Sequence, residues 1–479
     1  MLLSICGLYH RRYNPHNNLQ GGYEMMNLHM KKGMVILLAT VILVTALGGC
    51  GAGSATPSSS SAPVSTASAE PKTPIEVQTL VGMTWGSTEM NINIDAALFK
   101  TFPEMAKRFK VEWVLGGKSD GDVATKLRLA LAANENACDF SQLNYTQVPE
   151  FAQADVLVDT TDAIAKYKED ILPGALNLTM YKGKSVAIPF DVKAKLWFYR
   201  KDMFDAAGID PTKVKTLDDF IAAGKKLQAE YPKSFIWNFG ASLPGYDYYQ
   251  VLSGTDCSLI DDKGDYVLDT EPNVRKLLEA FKKMHDAKIV ASIGSWNPDW
   301  EKAFADSTLP SELNATWMAL PVFLPTYAAG QEGKWAVTQW PSFIGEVGGS
   351  EAGGSVFVIP KFGKNPDMVK EYLSNLNLSK EGNLDKFKTA QFFPMNKNAA
   401  ADPAVQVADP FFGKTLAEET LKSIDSLKIF KYSPAAAQEM QIIVPYFDKA
   451  VNGEMSIDDA LKAAQADLKN QIGNAYSKK

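Results

Sequence analysis

Aromatic side chains gather where this chain turns, and that placement is its strongest chemical signal. Trp85 follows a first apolar run, Tyr145 follows Asn144, and Trp237 lies in the run Phe235–Phe239. Tyr246, Asp247, Tyr248 and Tyr249 follow Pro244-Gly245, while Trp296, Trp300 and Trp340 lie in turn-rich stretches. Flat rings outside the carboxyl ends of strands can lie on the apolar C–H faces of a sugar, with Asp, Asn and backbone groups taking its hydroxyls. For any single ring, core packing is as good a reading. As a set they favour a polar ligand with an apolar face.

Other chemistry is poorly supplied. Of the four histidines, His10, His16 and His29 precede residue 50, leaving His285 alone in the body. A multi-histidine metal site is excluded, and a Ser or Cys nucleophile would have to borrow His285. That histidine follows the stripe Val274, Leu278, Phe281, where a helix-flank role is expected. Gly348-Gly349-Ser350 and Gly353-Gly354-Ser355 precede a strand rather than opening a helix, so they are no nucleotide fingerprint. Asp261-Asp262-Lys263-Gly264-Asp265 puts Lys263 where a calcium loop needs an oxygen, and reads as a hairpin turn. Cys138 and Cys257 read as two small buried thiols rather than a disulfide. The expected inventory is therefore no catalytic residue, no metal and no cofactor.

Lys31-Lys32-Gly33, the apolar run Met34–Leu47 and Gly48-Gly49-Cys50 have the layout of a secretory signal peptide. The run covers roughly 21 Å of helix, short of a ~30 Å bilayer core. Leu47-Gly48-Gly49-Cys50 resembles the lipobox of bacterial lipoproteins, which implies diacylation of Cys50 and a membrane anchor on the extracytoplasmic side. Residues 1–24 fit no signal peptide, so translation is expected to start at Met25, Met26 or Met30. Residues 51–74 are almost wholly Gly, Ala, Ser, Thr and Pro and are expected to be a disordered tether.

Those features must be positioned by residues 75–479, too many for one core and suited to two domains of roughly 200. The chain's net charge is −6, and Arg11, Arg12, Lys31 and Lys32 lie before residue 50. The body is thus more acidic still, which argues against a nucleic-acid partner. Ile75–Val81 reads as a buried strand closed by a Gly82–Ser87 turn, then a helix through Phe99–Phe109 and a strand Val111–Leu115. Asp122 is expected to cap a helix with Val123, Leu127, Ala130 and Leu131 on one face, ahead of strands Phe140–Leu143 and Val186–Ile188. Thr216–Asp219 is a capping box, Thr270 is expected to cap a helix with Pro272 in its first turn, and Ser456 opens a last helix striped by Ile457, Leu461, Ala464, Leu468 and Ile472. Strand and helix alternate throughout, which predicts an α/β fold with a parallel or mixed sheet.

The order of segments resembles the extracellular solute-binding proteins of ABC importers, in particular the sugar-binding, maltose-binding protein family. The likeness is carried by Ile188-Pro189-Phe190-Asp191 with Trp197–Phe204 and Ala207–Pro211, by Trp335–Thr338 through Gly354–Lys361, by Thr270–Ile289, and by Gly453–Leu468. It implies a two-lobed, type II periplasmic-binding-protein-like fold with a hinge and an interlobe cleft. Lobe one would take 75–190 plus 353–405, and lobe two 191–352 plus 406–479. By position, Trp85, Asn144, Tyr145, Asp191 and Tyr246 fall where the family contacts sugar, and Phe323 where an aromatic platform is usual. Trp237, Asp247 and Trp340 join them as aromatics and an acid in turns. The implied partners are a carbohydrate, the ABC permease subunits and the membrane through the lipid, with the protein a monomer. An extended chain puts Asp191, Lys193 and Lys195 on one face, which suggests a carboxylate-bearing sugar such as an oligouronide if that face looks into the cleft. Two rival readings remain, a lipid-anchored glycoside hydrolase and a surface adhesin.

Overall fold

A computed structural model of the chain describes residues 76–239, 245–346, 353–428 and 430–477. The expected leader, Cys50 with its expected lipid, and the expected tether lie outside the described residues. The first half alternates β1 (Gln78–Trp85), α1 (Glu89–Thr101), β2 (Phe109–Gly117), α2 (Asp120–Ala133) and β3 (Phe140–Asn144), and reaches β4 (Ile188–Asp191). The chain then runs through β5 (Lys195–Arg200), α3 (Leu217–Glu230), β6 (Trp237–Asn238), α4 (Tyr246–Leu252), α5 (Pro272–Asp286), β7 (Val290–Ala291), β8 (Ser311–Ala315) and β9 (Trp335–Thr338). It returns as β10 (Ser355–Val358), passes α6 (Pro366–Asn377) and α7 (Lys380–Ala390), and ends in α8 (Ala436–Val451) and α9 (Ile457–Gln471).

Two sheets organise two lobes. The first has the order β2-β1-β3-β10-β4, with β1 parallel to β2 and β3, and β10 antiparallel to β3 and β4. Leu80, Phe140, Val356 and Phe357 from this sheet pack with Leu98, Leu127 and Leu373 of the flanking helices. The second has the order β8-β5-β9, with both neighbours antiparallel to β5, and β6 pairs with β7 beside it. All six residues of β5 are buried because the strand has a core on each face. Trp197 and Tyr199 join Phe220, Phe281 and Leu468 on one side, while Leu196 and Phe198 meet Trp300, Phe304 and Trp335 on the other. Alternation puts the two sets on opposite faces. The chain passes between the sheets at Val192–Ala194 and again between β9 and β10.

Local signals were mostly sound and their ends moved. Thr216 and Asp219 form the expected reciprocal capping box, and Ser456 caps α9. Ser119 rather than Asp122 caps α2, with Asp122 as its capping-box partner, and Glu271 rather than Thr270 caps α5. The turn expected at Gly82–Ser87 starts later. Gly82 continues β1 because Phe140 and Trp113 lie against it, where an added Cβ would stand 2.5 Å from the Phe140 ring. The helix expected through Phe109 ends at Thr101, and Phe109 opens β2 with a fully buried ring. The Asp261–Asp265 segment is the expected hairpin turn, Asp261 Oδ1 accepting from the Lys263 and Asp265 amides. Cys138 and Cys257 are free and buried, and His285 lies on the exposed side of α5.

Candidate functional site

The carboxyl ends of β1 and β3 and the start of β10 carry a connected polar network. Thr84 Oγ1 donates to Gln142 Oε1 at 2.6 Å, and Gln142 Nε2 donates to Ser355 Oγ at 3.0 Å. Ser355 gives both its amide and its hydroxyl to Asp191 Oδ1, at 2.8 and 2.6 Å. Asp191 Oδ2 stands 3.1 Å from Lys193 Nζ, whose ammonium also sits 4.2 Å from the Phe392 ring centre. Beneath this, the buried Lys386 donates to the Phe190 carbonyl and to Asn377 Oδ1 at 2.9 Å. Burial pushes its ammonium down to about 7, opposed by Asp191 and reinforced by Lys193. The strand that leaves the first lobe is thereby pinned from both sides at Phe190 and Asp191.

Facing Gly353, the second lobe presents a different set. Trp317 Nε1 donates to Tyr246 Oη at 3.1 Å, and Tyr246 donates to Asn314 Oδ1 at 3.3 Å. That oxygen also accepts the Ala315 amide at 2.8 Å, while Asn314 Nδ2 donates to Glu312 Oε1 at 3.3 Å. Glu312 and Asn314 share a face of β8 because they are two residues apart. Glu312 is 3% exposed, and its Oε2 has no hydrogen-bond partner among the described residues. Burial and then the nearby Asp247 push the Glu312 carboxyl well above the carboxylate range. Trp317 stacks on Trp296 with centroids 5.1 Å apart, and Phe323 meets both rings edge-on at 5.1 and 5.8 Å. Trp296 is 47% exposed, so this aromatic group opens to solvent. At Gly353, with φ +100°, an added Cβ would lie 3.7 Å from Tyr246 and 3.9 Å from Trp317 Nε1. Residues 353–355 therefore touch both networks.

The expected site residues divide into three groups. Trp85 ends β1 half-buried, Asn144 ends β3 with its oxygen accepting the Thr146 amide at 3.0 Å, and Tyr246, Asp247 and Phe323 border the second network. Tyr145 lies apart from these two networks. It meets Tyr432 edge-on at 5.5 Å in the wall of a groove of about 820 Å³, with Tyr181, Lys182, Cys257, Lys428 and Phe430 among the other linings. Trp237 and Trp340 belong to the core. Trp237 is 0% exposed, its N–H bonded to the Leu313 carbonyl, its ring packed on Phe239, Phe281, Trp340 and Phe343. Asp191 and Lys193 are committed to each other and to Ser355 and Phe392. Lys195 is fully buried, bonded to the Gln250 carbonyl and 4.8 Å from the Trp340 ring centre, so the reasoning toward an oligouronide loses both its lysines. Gln142, Glu312, Asn314 and Trp317 were not anticipated. Trp317, two residues past the end of β8, carries a signal like that of Tyr145, which directly follows β3.

A family model of the bacterial extracellular solute-binding proteins matches residues 97–412. The arabinooligosaccharide-binding protein of Halalkalibacterium halodurans is 24% identical over 360 residues, covering 71% of this chain and 78% of that protein. The ABC-transporter-associated binding protein of B. animalis subsp. lactis, solved with β-1,6-galactobiose, superposes with a TM-score of 0.68 at 24% identity, over 84% of this chain and 99% of that one. Maltose-bound MalE3 of T. maritima gives 0.65 at 20% identity, over 82% and 100%. These structures share the type II, two-lobed fold.

Proposed function

The chain belongs to the bacterial extracellular solute-binding proteins, and on that premise we propose that it captures a carbohydrate between its lobes and hands it to an ABC permease. The observation that carries this reading is the meeting of two polar networks at residues 353–355, one from each lobe, beside a partly exposed group of three aromatic rings. A solute touching both networks binds the shut arrangement better than the separated one, and that difference drives closure. Micromolar capture needs about −8 kcal/mol. A few buried hydrogen bonds at ~1 kcal/mol each, with stacked rings, reach it.

The contacts we assign to the solute are Trp85, Asn144, Tyr246, Asp247, Trp317 and Phe323, with Tyr145 at the far groove. Similarity to an arabinooligosaccharide-binding protein makes arabinooligosaccharides the first solutes to try. Anchoring through a lipid on Cys50 and a tether from residue 51 fits a receptor that must stay near its permease and lift a ligand-loaded body above the membrane. No helix among the described residues is long and apolar enough to cross a membrane. Titration calorimetry of the full-length chain with arabino-, galacto- and malto-oligosaccharides tests the reading, with chromatography of the same samples afterwards. Saturable heat with intact sugar is expected. Cleaved sugar would make the protein a glycoside hydrolase instead.

A further inference from the structure

We propose that Trp296 selects the solute by length, as a held aromatic platform for the second or a later unit of an oligosaccharide whose first unit lies between the two networks. This rests on the carbohydrate-receptor reading and deepens it. Trp296 is 47% exposed, the only aromatic among the large apolar side chains exposed in the described residues. Its φ is +64°, and no other aromatic has a positive φ among the described residues. A bulky side chain is rare in that left-handed region, which glycine or asparagine occupies at lower cost. A turn role would thus favour a smaller residue, and a core role would bury the ring. Trp296 fits neither. An apolar ring kept open on a strained backbone at the border of a polar site suits a ligand with an apolar face.

The ring is fixed by its neighbours. It stacks on Trp317 at 5.1 Å with 29° between the planes, and its centre lies 5.4 Å from that of Trp300 and 5.8 Å from that of Phe323. Trp300 anchors the group, buried on the helix Pro298–Ala305, which Asn297 caps through the Asp299 and Trp300 amides at 3.0 and 3.1 Å. The indole is therefore placed before a solute arrives, and stacking on it costs little side-chain entropy. Trp317 joins this platform to the polar side of the site. Its N–H donates to Tyr246 Oη at 3.1 Å while its ring carries Trp296. A sugar unit seated against Tyr246 has Trp317 beside it and Trp296 one ring further out. A monosaccharide held there ends short of Trp296, and a longer chain runs onto it.

The test is calorimetry of the full-length chain and its Trp296→Ala and Trp296→Gly variants with mono- to tetrasaccharides of the arabino, galacto and malto series. In the series that binds, wild-type affinity should rise about tenfold at the length that first reaches Trp296. That rise should vanish in both variants, while the shorter sugars keep their wild-type affinity within about twofold. Both variants lose the ring, but only glycine takes the left-handed backbone freely, so the glycine variant should melt higher than the alanine one. A rise lost in the alanine variant and kept in the glycine variant would assign the effect to the backbone and overturn the platform. A wild type that binds mono- and tetrasaccharide alike would overturn it too. So would a rise that survives in both variants, which would leave the exposed ring to a protein partner. Silence from the whole panel would overturn the carbohydrate reading itself, and the platform with it.

Discussion

Trp237 and Trp317 sit on neighbouring segments of one lobe and have opposite fates. Trp237 is sealed among four aromatic rings, so Trp237→Ala should cost about 3–5 kcal/mol of stability, read as a lower urea midpoint, with sugar selectivity unchanged in whatever protein folds. Trp317 is half-buried and stacked on an exposed partner. Trp317→Ala should leave the melting temperature within a few degrees and weaken sugar binding roughly tenfold, about 1.4 kcal/mol. Lys386 carries a third expectation. Its ammonium is pushed from 10.5 down to about 7. Between those values the unfolded chain holds a proton that the folded site has shed, so stability rises with pH across the window, by up to about 1.4 kcal/mol per unit. The wild-type melting temperature minus that of Lys386→Met should therefore grow between pH 7 and 9.5. Lys195, also pushed down, to about 8, is present in both proteins and cancels. A flat difference would mean that the Lys386 site does not suppress its charge.

Elements were legible where their causes are local. The capping box at Thr216, the turn at Asp261 and the stripe on α9 each depend on residues within a turn or two of one another. Gly82 was misread because its reason lies across the sheet, in the Phe140 and Trp113 rings that lean on it. The same holds for the site. An aromatic beyond a strand end is visible in sequence, but whether it meets a cleft or a core depends on which strands become neighbours. The pairing of β8 and β9 with β5, and the helices laid over it, buried Trp237 and Trp340 and left Trp317 at the border. Gly353 gives the prediction at this scale. Its φ of +100° disfavours any side chain, while the space beside Tyr246 would just hold a methyl group. Gly353→Ala should thus lower stability by about 1–2 kcal/mol through backbone strain alone. A melting temperature equal to the wild type would show that the segment relaxes instead.

At the scale of the whole molecule, two sheets with separate cores are joined by short passages such as Val192–Ala194, which suits rigid lobes turning about a hinge. Small-angle scattering should show the radius of gyration fall when a binding sugar is added, and stay constant with one that calorimetry scores as silent. The architecture was the most legible property of the sequence, since a long series of alternating strands and helices leaves few alternatives. The solute was the least, because Lys193 and Lys195 share a face in an extended chain but their charges are absorbed by Asp191, Phe392, Gln250 and Trp340 once that chain is packed.

Both thiols of the described body, Cys138 and Cys257, are unpaired, buried and resistant to ionisation, the first pushed up to about 12. Maleimide dyes should pass them by. One new cysteine on each lobe, at exposed Leu129 and Val322 for instance, would then accept a donor and an acceptor fluorophore without first replacing Cys138 and Cys257. The fold thus comes ready to be converted into an optical gauge of nutrient concentration, its signal being the distance between two dyes.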